Sequence, residues 1–228
     1  MMALYVATLQ PPALKESESW PVPQTRFTPF FLYEDNLLSE HGHWSYEGCD
    51  SFEDSPWGRG ALEHSTPAIV ENTKIIGPVA LRLYAATTGT DIDWIVSLLN
   101  EDQDGGRKFV SKGWLKASHR ERDEVQKPRE PLYTHAKSEP VQPFEIVPYD
   151  IKIAPIKILL PARLRLVLRI SCVDDPPNDA LQLTGAGTLS RTEVSRIRVF
   201  HDEDHSSYLL LPVTSRNHMN RFFSGGQL

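Results

Sequence analysis

Cysteine is nearly absent. Cys49 and Cys172 are the only two, too few for a disulfide framework or a four-thiolate zinc site. Cys172 follows an apolar run and reads as a buried free thiol. No apolar run approaches the ~20 residues needed to cross a bilayer. The opening MMALYVATLQPP lacks the charged start and long apolar stretch of a secretory signal. The expectation is therefore a cytoplasmic chain with no membrane partner. Positive charge is short as well: 24 Lys and Arg stand against 30 Asp and Glu, a formal net charge of −6. That argues against nucleic acid as a partner, which would need a basic surface. There is no Gly-x-Ser-x-Gly, the strained turn on which a hydrolase serine is presented. The Gly-x-Gly pairs at Gly58 and Gly185 lack the third glycine and the strand–helix context of a dinucleotide site. No internal repeat and no long amphipathic helix is visible, and nothing points to a cofactor.

What remains points to β-structure in a single domain. Across 228 residues, 40% hydrophobic and 24% charged content match an ordinary soluble globular chain. The stretch from Lys74 to Arg120 reads as three successive strands. In the first, Val79, Leu81, Leu83 and Ala85 alternate with Ala80, Arg82 and Tyr84. The second, Asp93 to Leu99, is apolar on both faces, as a buried central strand would be. After the turn Asp104-Gly105-Gly106, the third, Phe109 to His119, returns antiparallel. Further strands are expected at Leu4–Leu9, Phe30–Tyr33, Phe144–Ile153, Arg163–Ile170 (with one basic face), Glu193–Phe200 and Tyr208–Val213. Trp20 is expected to anchor over the sheet. Three stretches read as long loops: Ser39–Thr66, with Leu62–Ser65 returning to strand, Glu121–Pro143 and Asp174–Thr192. The domain is expected to span residues 1–213, with a tail over 214–228.

The central block also carries a resemblance. Ile-x-Gly-Pro-Val, Leu-x-Leu-x-Ala, Thr-Asp-x-Asp-Trp and Gly-Trp-Leu-Lys-Ala-Ser-His-Arg follow one another from Ile75 to Arg120. Trp20 to Phe30 precedes them. Tyr149-Asp150-Ile151-Lys152-Ile153, Arg163-Leu164-Arg165-Leu166 and His201 through Val213 follow. In this order they resemble the C-terminal domain of X-Pro dipeptidyl-peptidases and cocaine esterase-type hydrolases. The resemblance implies an all-β fold, a jelly-roll (galactose-binding-like) β-sandwich with long loops. It also implies a non-catalytic domain that packs on an α/β-hydrolase partner, so no serine, aspartate or histidine of the family's triad has a counterpart here. The chain departs from the family at Ala154-Pro155 and Pro161-Ala162, where a Trp-Pro pair and a Gly-His pair are usual.

Two readings of function stay open. One is a stand-alone copy of the non-catalytic domain, acting through protein or ligand contacts, as a homodimer or beside a separate hydrolase chain. The other is a small-molecule enzyme of cyclase or isomerase type, using a jelly-roll pocket with acid–base and shape catalysis. For the second, His119 and Asp93 are the candidate catalytic groups, and Trp94 and Trp114 the candidate ligand-binding walls. The histidine groups His41-x-His43 and His201-Asp202-Glu203-Asp204-His205 contain ligand-type side chains. Turn capping accounts for the second group more simply, so no metal is expected.

Overall fold

The computed structural model describes residues 19–23, 25–41, 48–55, 60–124, 129–174 and 193–214. The described chain is all-β. Its strands are β1 (Arg26–Tyr33), β2 (Leu37–Ser39), β3 (Cys49–Asp54), β4 (Ala61–Ser65), β5 (Thr73–Thr87), β6 (Asp93–Glu101), β7 (Arg107–Lys116), β8 (Val147–Leu160), β9 (Arg165–Ser171), β10 (Ser195–Phe200) and β11 (Tyr208–Val213). The helical segments among the described residues are short 3₁₀ turns at Glu34–Asn36 and Ala117–His119. None is long and apolar enough to cross a membrane.

The strands form one sheet in the order β11-β1-β2-β4-β9-β6-β7-β8-β5-β10-β3, and a further pairing of β11 with β5 closes it. The length of β5 makes this closure possible. One edge pairs with β8 from Thr73 to Ala85, while the other takes β11 at Leu81↔Leu209 and then β10 at Ala85↔Val199. β10 and β3 therefore extend from the closed circuit as a two-stranded flap. The seam between β7 and β8 is thin, with a single ladder pair at Gly113↔Ile153.

Inward residues from nearly every strand meet in one core that includes Phe30, Leu38, Leu81, Leu83, Trp94, Val96, Leu98, Tyr149, Ile151, Leu168 and Leu209. β6 is buried on both faces between β7 and β9, as its double-sided apolar pattern predicts. The excursion after β7 is pinned to the sheet at one point. Tyr133 donates its hydroxyl proton to the Asp150 carbonyl and accepts from the Asp150 N–H at 3.2 Å. The Asp150 carboxylate pairs with Arg82 Nε at 2.6 Å and with Arg122. Burial pushes the Tyr133 phenol up to about 12, so it stays a neutral hydrogen-bonding group.

Several expectations are corrected. The third strand ends at Lys116, and His119 lies in a 3₁₀ turn. Ala117 N–H donates to the Ile92 carbonyl at 2.7 Å, and Asp91 accepts from both Ser118 N–H and Oγ at 2.8 and 2.7 Å, drawing the chain off the ladder. Ser39–Thr66 is not one loop, since β3 lies within it, whereas the expected return to strand at Leu62–Ser65 is β4. Phe144 is 73% exposed and precedes the strand, which starts at Val147 and runs on to Leu160. β9 has no solvent-facing basic side along its length: Arg163 lies before it with φ 74°, and Arg169 is buried against Ser171. Trp20 does not anchor over the sheet and is 46% exposed. Leu4–Leu9, nearly all of Asp174–Thr192 and the tail beyond Thr214 lie outside the described residues.

Candidate functional site

The ladder between β6 and β7 decides what the two candidate tryptophans can do together. Trp94 stands opposite Leu115, and Trp114 opposite Ile95. Side chains alternate along a strand, so the two indoles lie on opposite faces and cannot wall one pocket. Trp94 is 1% exposed in the core, with its ring 5.4 Å from Tyr149. Burial pushes the Tyr149 phenol far above its ordinary range. Trp114, on the other face, lies under the ammonium of Lys112, 5.8 Å from the ring centroid. Lys112 is fully buried and paired with Asp174. Asp93 opens β6, and its carboxylate lies 3.6 Å from Lys116 Nζ. Half-buried His119 stacks on His135 at 6.0 Å, and His135 in turn on Tyr133 at 6.1 Å.

A different set of groups does converge: Asp50 on β3, His64 on β4 and His201 just after β10. The β3–β10 ladder runs one step past Cys49↔Phe200, where His201 N–H donates to the Gly48 carbonyl at 2.8 Å. The His201 imidazole packs directly on Gly48. A Cβ there would lie 2.3 Å from Nδ1, so the position takes no side chain. His64 pairs with Leu168 across β4 and β9 and has 0% exposure.

His64 Nε2 lies 3.3 Å, and His201 Nε2 3.2 Å, from the same Asp50 oxygen, Oδ2. Both approaches are oblique, leaving Oδ2 and all four ring nitrogens buried without a well-directed hydrogen bond. Even so, the histidines, His64 foremost, hold the Asp50 carboxyl below its ordinary range against the opposing effect of burial.

The ring spacing limits the chemistry. Two imidazoles on one tetrahedral zinc-class ion, with Zn–N near 2.0–2.1 Å, would bring their centroids to about 5 Å. Here they are 6.4 Å apart. Among the described residues no group of three or more His, Cys, Asp or Glu has the spacing of a metal site. The cluster is a charged tie joining three elements, with the half-exposed Asp50 at its solvent side.

Among the described residues the cluster includes no hydroxyl nucleophile. Ser111, Ser171 and Ser207 donate to the carbonyls of Ala154, Val173 and Phe200, and Ser118 to Asp91. The His201–His205 turn also divides: His205 takes Asp202 at 3.0 Å and meets Tyr84 edge-to-face at 5.6 Å. His41 gives its carbonyl to the Tyr33 hydroxyl, and His43 lies outside the described residues. The sequence held one signal for the tie, a histidine at the core-facing position of the short Leu62–Ser65 strand.

Comparison with known proteins follows the fold. Residues 4–210 match the family described as the X-Pro dipeptidyl-peptidase C-terminal non-catalytic domain. No curated protein matches the chain. A CocE/NonD family hydrolase from Staphylococcus aureus superposes with TM-score 0.74 at 20% identity, over 88% of this chain and 38% of that one. An aminopeptidase from the marine sediment archaeon Thaumarchaeota archaeon gives 0.69 at 15% identity, over 87% and 38%. An α-amino acid ester hydrolase gives 0.65 at 16%, over 82% and 36%. The chain thus spans a little over a third of the length of these proteins.

Proposed function

The chain belongs to the family of X-Pro dipeptidyl-peptidase C-terminal non-catalytic domains, and on that premise we propose that it is a jelly-roll module that supplies contacts rather than a nucleophile. In this reading the closed sheet is a flattened two-layer sandwich, with β3, β10, β5 and β8 on one side and β4, β9, β6 and β7 on the other. The cross-sheet tie at Asp50 then holds its open end. The module works in the cytoplasm through protein contacts, as a second copy of itself or beside a separate α/β-hydrolase chain. The observation that carries the reading is the family match, which covers the chain from residue 4 to residue 210. The hydroxyls of Ser111, Ser118, Ser171 and Ser207 agree with it, being committed to carbonyls and to Asp91 rather than to a histidine.

The test is chemical. Purified chain is treated with a fluorophosphonate probe and, separately, with p-nitrophenyl esters and X-Pro anilides. The expected result is no covalent serine adduct and hydrolysis at the rate of buffer. A stoichiometric adduct, or turnover that the probe abolishes, would overturn the reading.

A further inference from the structure

Closing a sheet removes its edges, and unpaired edges invite pairing with another chain. This sheet closes through β5 and β11, but the β10–β3 flap lies outside the circuit and leaves β3 at the free end of the strand order. The direction of each backbone group on that edge follows from the ladder. Arg196 turns both its N–H and its carbonyl away from β3, towards Thr88 (3.0 Å to Oγ1 and 3.1 Å from Thr88 N–H). The alternate residues Ile197 and Val199 therefore bond to their β3 partners Phe52 and Asp50, and His201 N–H to Gly48 continues the alternation. It follows that Cys49, Ser51 and Glu53 direct their N–H and C=O groups outward from the flap.

Their side chains are exposed too. A cleft of about 410 Å³ lies beside them, lined by Ser51, Phe52, Glu53, Ser55, Gly60 and Arg196. One end of the edge is partly covered. The Glu53 carbonyl faces Gly60, where a Cβ would approach it to 2.0 Å. Among the described residues nothing pairs with the Ser51 groups, the Cys49 groups or the Glu53 N–H, which leaves them for a partner strand.

We propose that this edge is a self-association surface on which β3 of a second copy pairs antiparallel about a two-fold axis through Ser51. Charge selects both the occupant and the register. With Ser51 opposite the partner's Ser51, Glu53 stands opposite the partner's Cys49, and Asp50 opposite the partner's Phe52. A guanidinium is already waiting at that position. Arg198 Nη2 lies 3.2 Å from Cys49 Sγ, and Arg198 is exposed with no carboxylate among the described residues in ion-pair contact. Each Glu53 therefore meets the partner's Arg198, twice by symmetry. The neighbouring registers that keep outward-bonding residues opposite one another centre the axis on Asp50 or on Phe52, and they set Asp50 opposite the partner's Asp50 or the partner's Asp54, acid against acid, which is unfavourable. The backbone bonds of the chosen register run between the two Ser51 residues in both directions, and from each Glu53 N–H to the partner's Cys49 carbonyl.

Sedimentation of the whole chain from micromolar to millimolar concentration should show the mass rising from 25.8 kDa to twice that value. In a Cys49→Ser background, Ser51→Cys should form an intermolecular disulfide. A hydrogen-bonded antiparallel pair places its Cα atoms about 5.5 Å apart, within the ~4.4–6.8 Å a disulfide spans. Glu53→Arg should weaken the dimer about tenfold, and adding Arg198→Glu should restore it. Circular dichroism of each variant shows whether the fold is kept, and the disulfide test needs neither charge change. A monomer throughout the range would overturn the proposal. So would a dimer that Ser51→Cys does not cross-link, or one that the charge swap does not rescue.

Discussion

Trp94 and Trp114 sit one strand apart, yet the alternation of the ladder gives them unrelated work. Trp94 fills the core beside Tyr149, whereas Trp114 lies on the opposite face under Lys112. Trp94→Ala should therefore lose about 3–5 kcal/mol, the usual cost of removing a fully buried large aromatic. Trp114 is only partly buried, and Trp114→Ala should cost less than half as much. Urea unfolding of both variants decides this, and equal losses would refute the assignment of faces. The strand pattern of β6 and β7 was legible in the sequence, but the face that looked inward was not. His119 shows a second limit at this scale. In the sequence its strand runs on through Ala-Ser-His, and the Ile92 carbonyl and Asp91, 27 residues before Ser118, convert those residues into a turn by capturing Ala117 and Ser118.

Among the elements, β5, β6 and β7 were readable because apolar residues recur along them at strand spacing. β3 was hidden. Its sequence, Cys-Asp-Ser-Phe-Glu-Asp, has one large apolar residue, and it becomes a strand because β10 offers it a ladder of six residue pairs. The sequence pattern shows β8 only as far as Ile153, and Pro155 follows closely. The structure carries the strand past it through an irregularity, since the register passes from Val79↔Ile153 to Gly77↔Ile156 and leaves Ala154 and Pro155 out of the ladder. A proline without an N–H is tolerated at such a place.

The β7–β8 seam gives this scale its own prediction. Gly113 holds the single ladder pair between those strands, and a Cβ on it would meet the Lys152 carbonyl oxygen at 2.3 Å. Gly113→Ala should cost about 1–3 kcal/mol through overpacking and should speed amide exchange in β7 and β8 before β5. Unchanged exchange across the seam would show that β7 and β8 are held together elsewhere.

For the whole molecule, the tie of Asp50 to His64 and His201 matters because it joins β3, at one end of the strand order, to β4 within the closed circuit. It fastens the β3–β10 flap to β4 by side chains where no backbone ladder joins β3 to β4. Beyond the core-facing position of His64, the sequence does not connect these three residues, and the fold brings them together. The tie makes stability depend on acid, and the sign follows from Asp50. Its folded carboxyl titrates below the ordinary aspartate value near 4. Between that value and the lower folded one, the unfolded chain binds more protons, so stability rises with pH there. The contribution is fully present above the ordinary value and is lost as pH falls through the folded one. Asp50 is half-exposed, and screening by water keeps the effect modest. Asp50→Asn removes the charge and should be less stable than the parent chain at pH 7. Its deficit should shrink as pH falls below about 4, because the parent then loses the same interaction. Urea midpoints of the two proteins at pH 7, 4 and 3 supply the measurement. A deficit that stays constant across that range would mean that Asp50 supports the flap by packing and not by charge.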